Sequence, residues 1–432
     1  MIIRISPSTL SGEVTAPPSK SLSARFIAAA LLAESPTMLH GLSDCDDTTA
    51  ALSIAAELGA EIELGSDSIL ITPCPSSIPR PRSEKLNACE SGLAARLFAP
   101  IAALSLETLT MTGEGSLMKR PFEMVSSGLA SLGVKTTGGK TLPLTLEGPL
   151  VGGEIEIDGS ISSQFLTGLL LALPYAEQDS KVVVKNLTSR PYIDMTLEVM
   201  QAFDLDYVHE KHETQDTFFI PAGQTARSLP LSTDGDWSAA ATLLVLGGLC
   251  GQPDLEIKGL RGTYTQADSG IKGAMLFAGY HILGTDEGLS LKKKRPRAMK
   301  LDLSNSPDLF PVLCALAAFS NKPSHFSGAN RLGAKESDRA SVLISEFAKA
   351  GVTIERDGDS LIVHPCKKTT ACLMNPHGDH RIAMAAAIIG CAGNADIEIL
   401  DAECVAKSYP MFFDDLANIG GCISEVQQTK YK

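Results

Sequence analysis

A short amphipathic helix, a turn residue and a β-type run recur six times along the 432-residue chain, and this internal period restricts the possible folds more than any other feature. The copies read AALSIAAELGAEIEL, MVSSGLASLGVKTT, MTLEVMQAFDLDYV, IKGAMLFAGYHIL, VLISEFAKAGVTIE and FFDDLANIGGCIS. Their turn residues are Gly59, Gly133, Asp204, Gly279, Gly351 and Gly420, spaced 69 to 75 residues apart. Glycine suits a left-handed helix end, where a Cβ is costly, and Asp is a tolerable substitute. A second helix repeats with the same period, starting near Ser21, Ser91, Ser162, Asp236, Asp308 and Asp379. It is apolar nearly all round, as in SQFLTGLLLALPYA and LFPVLCALAAF, and so belongs in an interior. Alternating runs such as GGEIEIDGS, KVVVKNL and ADIEILD supply strands between the helices.

Each unit therefore reads as β-α-β-α-β-β, and six units predict an α/β protein of two domains with three repeats each. The seams fall at Pro17–Lys20 and near Leu231–Asp236. The expected division is a discontinuous domain of residues 1–18 plus 236–432 and an inserted domain of residues 19–235, with a site in the cleft between them.

The apolar helices begin with Ser or Asp, which cap helices in the ordinary way. Their unpaired N–H groups also make positive ends that attract anions. Basic residues at or near these starts favour the second use. Lys20-Ser21 is followed one turn later by Arg25, and Arg96 interrupts an apolar helix. Lys119-Arg120 lies in a Gly/Ser-rich loop, Lys335-Glu336-Ser337-Asp338-Arg339 opens an amphipathic helix, Arg381 follows Asp379-His380, and Lys407 precedes Ser408-Tyr409-Pro410. Arginine forks and lysine point charges suit phosphate and carboxylate. The expected ligands are small molecules carrying several negative charges.

Charge and composition exclude other classes. With 37 Lys+Arg against 50 Asp+Glu the net charge is −13, so no broad basic face is available for nucleic acid. Ten cysteines without C-x-x-C spacing read as reduced thiols of a cytoplasmic protein. The N-terminus lacks the pattern of a signal peptide, and apolar stretches such as Phe165–Tyr175 are too short to span a bilayer. No membrane partner is expected.

The segments PSKSLSAR, SGLAAR, TGEGSLMKRP, DGSISSQFLTGLLLALP, SRPYIDMT, Pro307-Asp308, KESDR, GDHRIAM and DAECVAKSYP occur in an order that resembles the 3-phosphoshikimate 1-carboxyvinyltransferase (EPSP synthase) family over almost the whole chain. The resemblance implies the two-domain enolpyruvyl-transferase fold, an inside-out α/β barrel. It further implies transfer of the enolpyruvyl group of phosphoenolpyruvate to the 5-hydroxyl of shikimate 3-phosphate, in a monomer needing no cofactor or metal. By likeness, shikimate 3-phosphate meets Lys20, Ser21, Arg25, Ser162, Ser163, Gln164, Ser189, Tyr192, Asp308 and Lys335. Phosphoenolpyruvate meets Lys20, Gly92, Arg120, Gln164, Arg339, Arg381 and Lys407. Asp308, Glu336 and Lys20 are the implied catalytic residues, Asp308 as base near the hydroxyl and Glu336 as acid toward the methylene carbon.

Asp44, Asp46 and Asp47 resemble a family turn that orients basic residues, Asp338 reads as a structural partner, and Trp237 as packing. Two stretches depart from the family pattern: Glu90-Ser91-Gly92-Leu93, whose carboxylate must turn away or pair with a cation, and Arg331-Leu332-Gly333-Ala334 before KESDR. The alternative within the fold, transfer to UDP-N-acetylglucosamine, is disfavoured because Ser rather than Asn follows Lys20 and the Thr112–Pro121 loop has no cysteine. A non-catalytic phospho-ligand-binding paralogue is expected to lack Lys20, Asp308 or Glu336, and all three are present.

Overall fold

The computed structural model describes residues 1–160, 162–285, 287–333 and 335–426; Ala334, in the second departing stretch, lies outside them. The six turn residues read from the period all have positive φ, from 60° at Asp204 to 107° at Gly59, so the repeat is a repeat of backbone conformation as well as of pattern.

The chain divides into two compact units. One comprises Pro18–Asp234 with Thr263–Thr265. Its helices are α1 (Lys20–Leu31), α2 (Asp46–Glu57), α3 (Gly92–Ala102), α4 (Glu123–Ser131), α5 (Gln164–Ala172) and α6 (Arg190–Ala202). The apolar α1, α3 and α5 form its interior, and Gly168 lets α5 approach α3 so closely that a Cβ there would lie 2.6 Å from the Leu97 carbonyl oxygen. The other unit comprises Met1–Pro17, Gly235–Gly262 and the chain from Gln266 onward. Its helices are α7 (Trp237–Cys250), α8 (Ile271–Phe277), α9 (Phe310–Ala318), α10 (Arg339–Lys349), α11 (His380–Ala392) and α12 (Phe412–Asn418). Here α7, α9 and α11 are the interior; every α7 residue except Ser238 is buried. Burial of each Leu or Ile in these helices is worth about 1.5–3 kcal/mol.

Each repeat contributes to a four-stranded sheet, and six such sheets are present among the described residues. In each the first pair is parallel and the next two antiparallel, as for Glu154–Asp158, Ser180–Lys185, Gln215–Ile220 and Val208–Lys211 in order across the sheet. Two leading strands come from elsewhere in the sequence. Leu10–Thr15 runs parallel to Gly251–Lys258, with Val14 opposite Ile257. Leu231–Ser232 runs parallel to Thr37–His40. Ile2–Ser6 is an interior strand, flanked antiparallel by Ile397–Leu400 and Cys422–Glu425. The chain leaves one unit after Pro17 and returns to it after Asp234, and each unit completes one of its sheets with a leading strand from a distant part of its own sequence. The short return of Thr263–Thr265 is fastened by the Tyr264 N–H to Asp234 at 2.9 Å and the Thr265 N–H to Glu198 at 2.7 Å.

No described helix is long and apolar enough to cross a membrane.

Candidate active site

In the Pro18–Asp234 unit the predicted residues gather at the starts of the interior helices. Lys20 opens α1 and its Nζ lies 2.7 Å from Asp47 Oδ2 in the first turn of α2. Asp47 thus orients the lysine, the work expected of that acidic turn. Arg25, one turn inside α1, is fully buried. Its guanidinium donates to the Ser21 carbonyl (2.7 Å), Thr196 Oγ1 (2.9 Å), the Tyr192 carbonyl (3.0 Å) and Thr167 Oγ1 (3.2 Å). These bonds tie α1 to α5 and α6 and hold Ser21 and Tyr192 on one guanidinium. Burial lowers the Arg25 pKa to about 10, which leaves it charged near neutrality. Ser189, at the entry to α6, has a left-handed backbone (φ 54°), and its carbonyl accepts from the Tyr192 N–H at 3.0 Å.

A second group forms around Gly92. Ser91 caps α3, accepting from the Ala94 N–H at 3.2 Å. A Cβ at Gly92 would sit 2.6 Å from Arg120 Nη1 and 3.0 Å from Arg96 Nη1, so only glycine lets both guanidinium groups approach the helix start. Arg96 donates to the Gly92 carbonyl (3.1 Å), the Pro121 carbonyl (2.8 Å) and Gln164 Oε1 (3.4 Å), with Phe122 under its guanidinium at 5.1 Å. It thereby joins the loop bearing Arg120 to Gln164 at the start of α5. Ser162 Oγ accepts from the Gln164 N–H at 3.2 Å, and Ser163 is buried at the same helix start. The Glu90 carboxylate lies against Gly115, where a Cβ would be 2.1 Å from Oε1.

In the other unit the predicted residues converge on Arg339, whose side chain is wholly buried at the start of α10. It pairs with Asp308 (2.8 Å), Glu336 (2.8 Å) and Asp379 (2.9 Å). Asp308, in the turn Pro307–Leu309 that leads into α9, also pairs with Arg381 at 3.1 Å and Lys335 at 3.4 Å. Asp379 caps α11 by accepting from the Arg381 N–H at 3.0 Å and accepts from Ser337 Oγ at 3.2 Å. Asp338 likewise caps α10, accepting from the Ser341 N–H at 3.4 Å and from its hydroxyl at 2.6 Å. Lys407 is buried at the end of the turn Ala402–Lys407. Arg331 donates to the Ser304 carbonyl at 2.8 Å.

Electrostatics fix the charge of Asp308 and of the cations around it. Burial pushes the Asp308 pKa up, but Arg381, Lys335 and Arg339 together hold it well below the usual carboxylate range. Burial lowers the Lys335 ammonium, opposed by Asp308 and Glu336. Burial also works against the Arg339 charge, yet Asp379, Glu336 and Asp308 raise its pKa. A pocket lined by Ser238, Thr242, Asp308, Pro311, Val312, Arg381 and Met384 lies at the starts of α7, α9 and α11. An ionised carboxylate among three cations, beside a second carboxylate on the same arginine, can bind anions and move protons.

Sequence reasoning took Arg96 only as a basic residue near a helix start and Asp379 only as a helix-start residue, and gave no role to Ser238 or Asp268. Arg96 had a signal, being a lone charge in an apolar helix, and Asp379 had one as a helix-start residue next to His380-Arg381. Trp237 is buried, with the Lys272 ammonium 4.7 Å over its ring.

The family model described as EPSP synthase (3-phosphoshikimate 1-carboxyvinyltransferase) matches residues 5–416. A 3-phosphoshikimate 1-carboxyvinyltransferase of Methanocorpusculum labreanum is 32% identical over 427 residues, 98% of this chain and 100% of its own. Its namesake from Clostridium kluyveri is 33% identical over 426 residues, 98% of each chain. Among solved structures, an EPSP synthase from Acinetobacter baumannii aligns with a TM-score of 0.81 at 23% identity, covering 98% of this chain and 100% of that one. The enolpyruvyl transferase NikO from Streptomyces tendae aligns with a TM-score of 0.78 at 16% identity over 98% of both chains. At those identities the structural likeness speaks for the fold.

Proposed function

The chain belongs to the EPSP synthase (3-phosphoshikimate 1-carboxyvinyltransferase) family, and on that premise we propose how its residues divide the work. The reaction is transfer of the enolpyruvyl group of phosphoenolpyruvate to the 5-hydroxyl of shikimate 3-phosphate, with release of inorganic phosphate, in aromatic amino-acid and chorismate biosynthesis. The methylene carbon of phosphoenolpyruvate takes a proton while the 5-hydroxyl oxygen attacks the neighbouring carbon, giving a tetrahedral ketal phosphate. Removal of a methyl proton then expels phosphate and restores the double bond.

Asp308 takes the hydroxyl proton, and Glu336 delivers the proton to carbon and takes one back. The observation that carries this assignment is the Arg339 hub: Asp308 and Glu336 share one guanidinium, while Arg381 and Lys335 keep Asp308 ionised. An ionised carboxylate beside a second carboxyl on the same guanidinium suits a step needing both a base and an acid. Lys20, Gly92, Arg120, Gln164, Arg339, Arg381 and Lys407 take the phosphate and carboxylate of phosphoenolpyruvate, where cations favour departure of phosphate. Lys20, Ser21, Arg25, Ser162, Ser163, Gln164, Ser189, Tyr192 and Lys335 take shikimate 3-phosphate. Among these, Ser21, Arg25 and Tyr192 meet through the Arg25 bonds, which supports their acting together. The enzyme works in the cytoplasm, as the cysteine usage suggests, and as a monomer, as the family resemblance implies.

The test is a phosphate-release assay with phosphoenolpyruvate and either shikimate 3-phosphate or UDP-N-acetylglucosamine. Release with the first acceptor alone is expected; release only with the second refutes the reading.

A further inference from the structure

Asp268 has no part in this division of labour, yet it is built into the wall behind Asp308. It is buried in the turn Ala267–Gly270 ahead of α8. Gln266 fixes the turn: its side chain accepts from the Trp237 N–H at 3.0 Å and donates to the Gly235 carbonyl at 2.8 Å. Ser306, two residues before Asp308, donates its hydroxyl to the Ala267 carbonyl at 2.8 Å, joining the turns that bear the two aspartates. One Asp268 oxygen accepts from the Ser238 hydroxyl; the other is buried with no hydrogen-bond partner among the described residues. Ser238, Asp308 and Arg381 all line the same pocket.

A buried carboxyl with an unsatisfied oxygen is costly and rare, and a second carboxyl nearby makes its ionisation harder still. The groups facing Asp268 are Asp236, which caps α7, Ser238 from α7, Asp308 from the turn before α9, and Arg381 from α11. Burial, then the charge of Asp308, push its pKa up to about 6 against the pull of Arg381 and Ser238. Asp308, a few steps away, stays ionised far below that pH.

We propose that Asp268 is a positioning residue: linked to the pocket through Ser238, it sets a second, removable negative charge behind Asp308 and so governs how strongly Asp308 attracts the proton of the attacking hydroxyl. The inference rests on the reading of Asp308 as base. In that step the hydroxyl O–H bond breaks, its proton passes to Asp308, and the freed electron pair forms the new C–O bond. Asp268 exchanges no proton with substrate. Above about pH 6 its charge strengthens Asp308 as a base; below, protonation removes the charge and turnover falls.

Substrate phosphates also titrate near pH 6, so the decisive quantity is the ratio of wild-type to variant kcat with the same substrates. Asp268→Asn is expected to lower kcat by roughly 10–100-fold at pH 8 and by much less at pH 5. Ser238→Ala, which removes a bond to the ionised form, is expected to shift the acid limb upward by about one pH unit. A readout without substrates is the infrared difference spectrum between pH 5 and pH 7.5, in which a protonated-carboxyl band of the wild type disappears in Asp268→Asn. A wild-type/variant ratio constant from pH 5 to 8, a limb unmoved by Ser238→Ala, or an unchanged infrared band overturns the proposal. If Asp268→Asn does not fold, Ser238→Ala decides by the same measures. Absence of wild-type turnover refutes the assigned reaction instead, and the infrared band still judges Asp268.

Discussion

Replacing Arg339 by Gln takes away a cation shared by Asp308, Glu336 and Asp379, and its cost follows from the geometry. Three contacts of 2.8, 2.8 and 2.9 Å are lost, and the Arg339 and Asp379 side chains have 0% exposure. Breaking a buried pair and leaving the partner charge in place costs about 3–5 kcal/mol. A cooperative unit of this size loses about 2–4 °C of Tm per kcal/mol, so the transition of the unit holding Arg339 is expected to fall by roughly 6–20 °C at pH 8. The loss is pH-dependent, with a definite sign. In the wild type the folded-state pKa of Asp308 lies below its unfolded value. Its contribution is therefore present above the unfolded pKa and lost only as pH falls through the lower folded one. In Arg339→Gln the folded pKa rises, Asp308 takes up a proton as pH falls, and part of the penalty disappears. Calorimetry of both proteins at pH 8 and pH 5 should show a larger Tm gap at pH 8. A gap below about 3 °C at pH 8, or one equal at both pH values, refutes the view that Arg339 neutralises buried carboxylates.

Other substitutions probe separate links. Glu336→Gln should lower kcat by about 100-fold or more while substrate Kd values by calorimetric titration change less than about threefold; unchanged turnover removes Glu336 as proton donor. Arg25→Lys replaces a fork holding Thr167, Thr196 and two carbonyls by a point charge, and should cost about 2 kcal/mol or more in denaturant unfolding. Gly168→Ala drives a methyl toward the Leu97 carbonyl, and a loss of about 1–3 kcal/mol in the same assay is expected, with a neutral result showing that α3 and α5 can separate freely.

The repeat was legible because its markers are local. A glycine that must adopt positive φ, a helix apolar on every side and an alternating strand are each written within a dozen residues, and Gly59 through Gly420 carry the same conformation in all repeats. The Arg339 hub was not legible in that way. Its partners Asp308 and Asp379 lie 31 and 40 residues distant, and only folding of successive repeats brings their helix starts together. Arg25 shows the same limit: the sequence announces a cation at a helix entry, but Thr167 and Thr196, which hold it, come from other helices. Asp268 could have been found by register. The stretch at or just before the start of each outer helix carries Asp47, Arg120, Ser189, Lys335 or Lys407 in the other repeats, and Asp268 stands just before α8 in the fourth. For the strand Ile2–Ser6 the sequence indicated the domain, residues 1–18 with 236–432, but not the neighbours, which lie near residues 400 and 424.

The borrowed strands impose an order on biosynthesis. A ribosome makes Ile2–Ser6 and Leu10–Thr15 first, and their hydrogen-bonding neighbours emerge only after the whole of Pro18–Asp234. Until then Ile3, Ile5 and Val14, all buried in the folded protein, have no sheet to enter. Opening the chain between Asp234 and Gly235 and joining the two strands where the Val426 N–H meets the Ile2 carbonyl at 2.9 Å would bring Gly235–Gly262, the chain from Gln266 and Ile2–Pro17 into one run, with Thr263–Thr265 its one excursion.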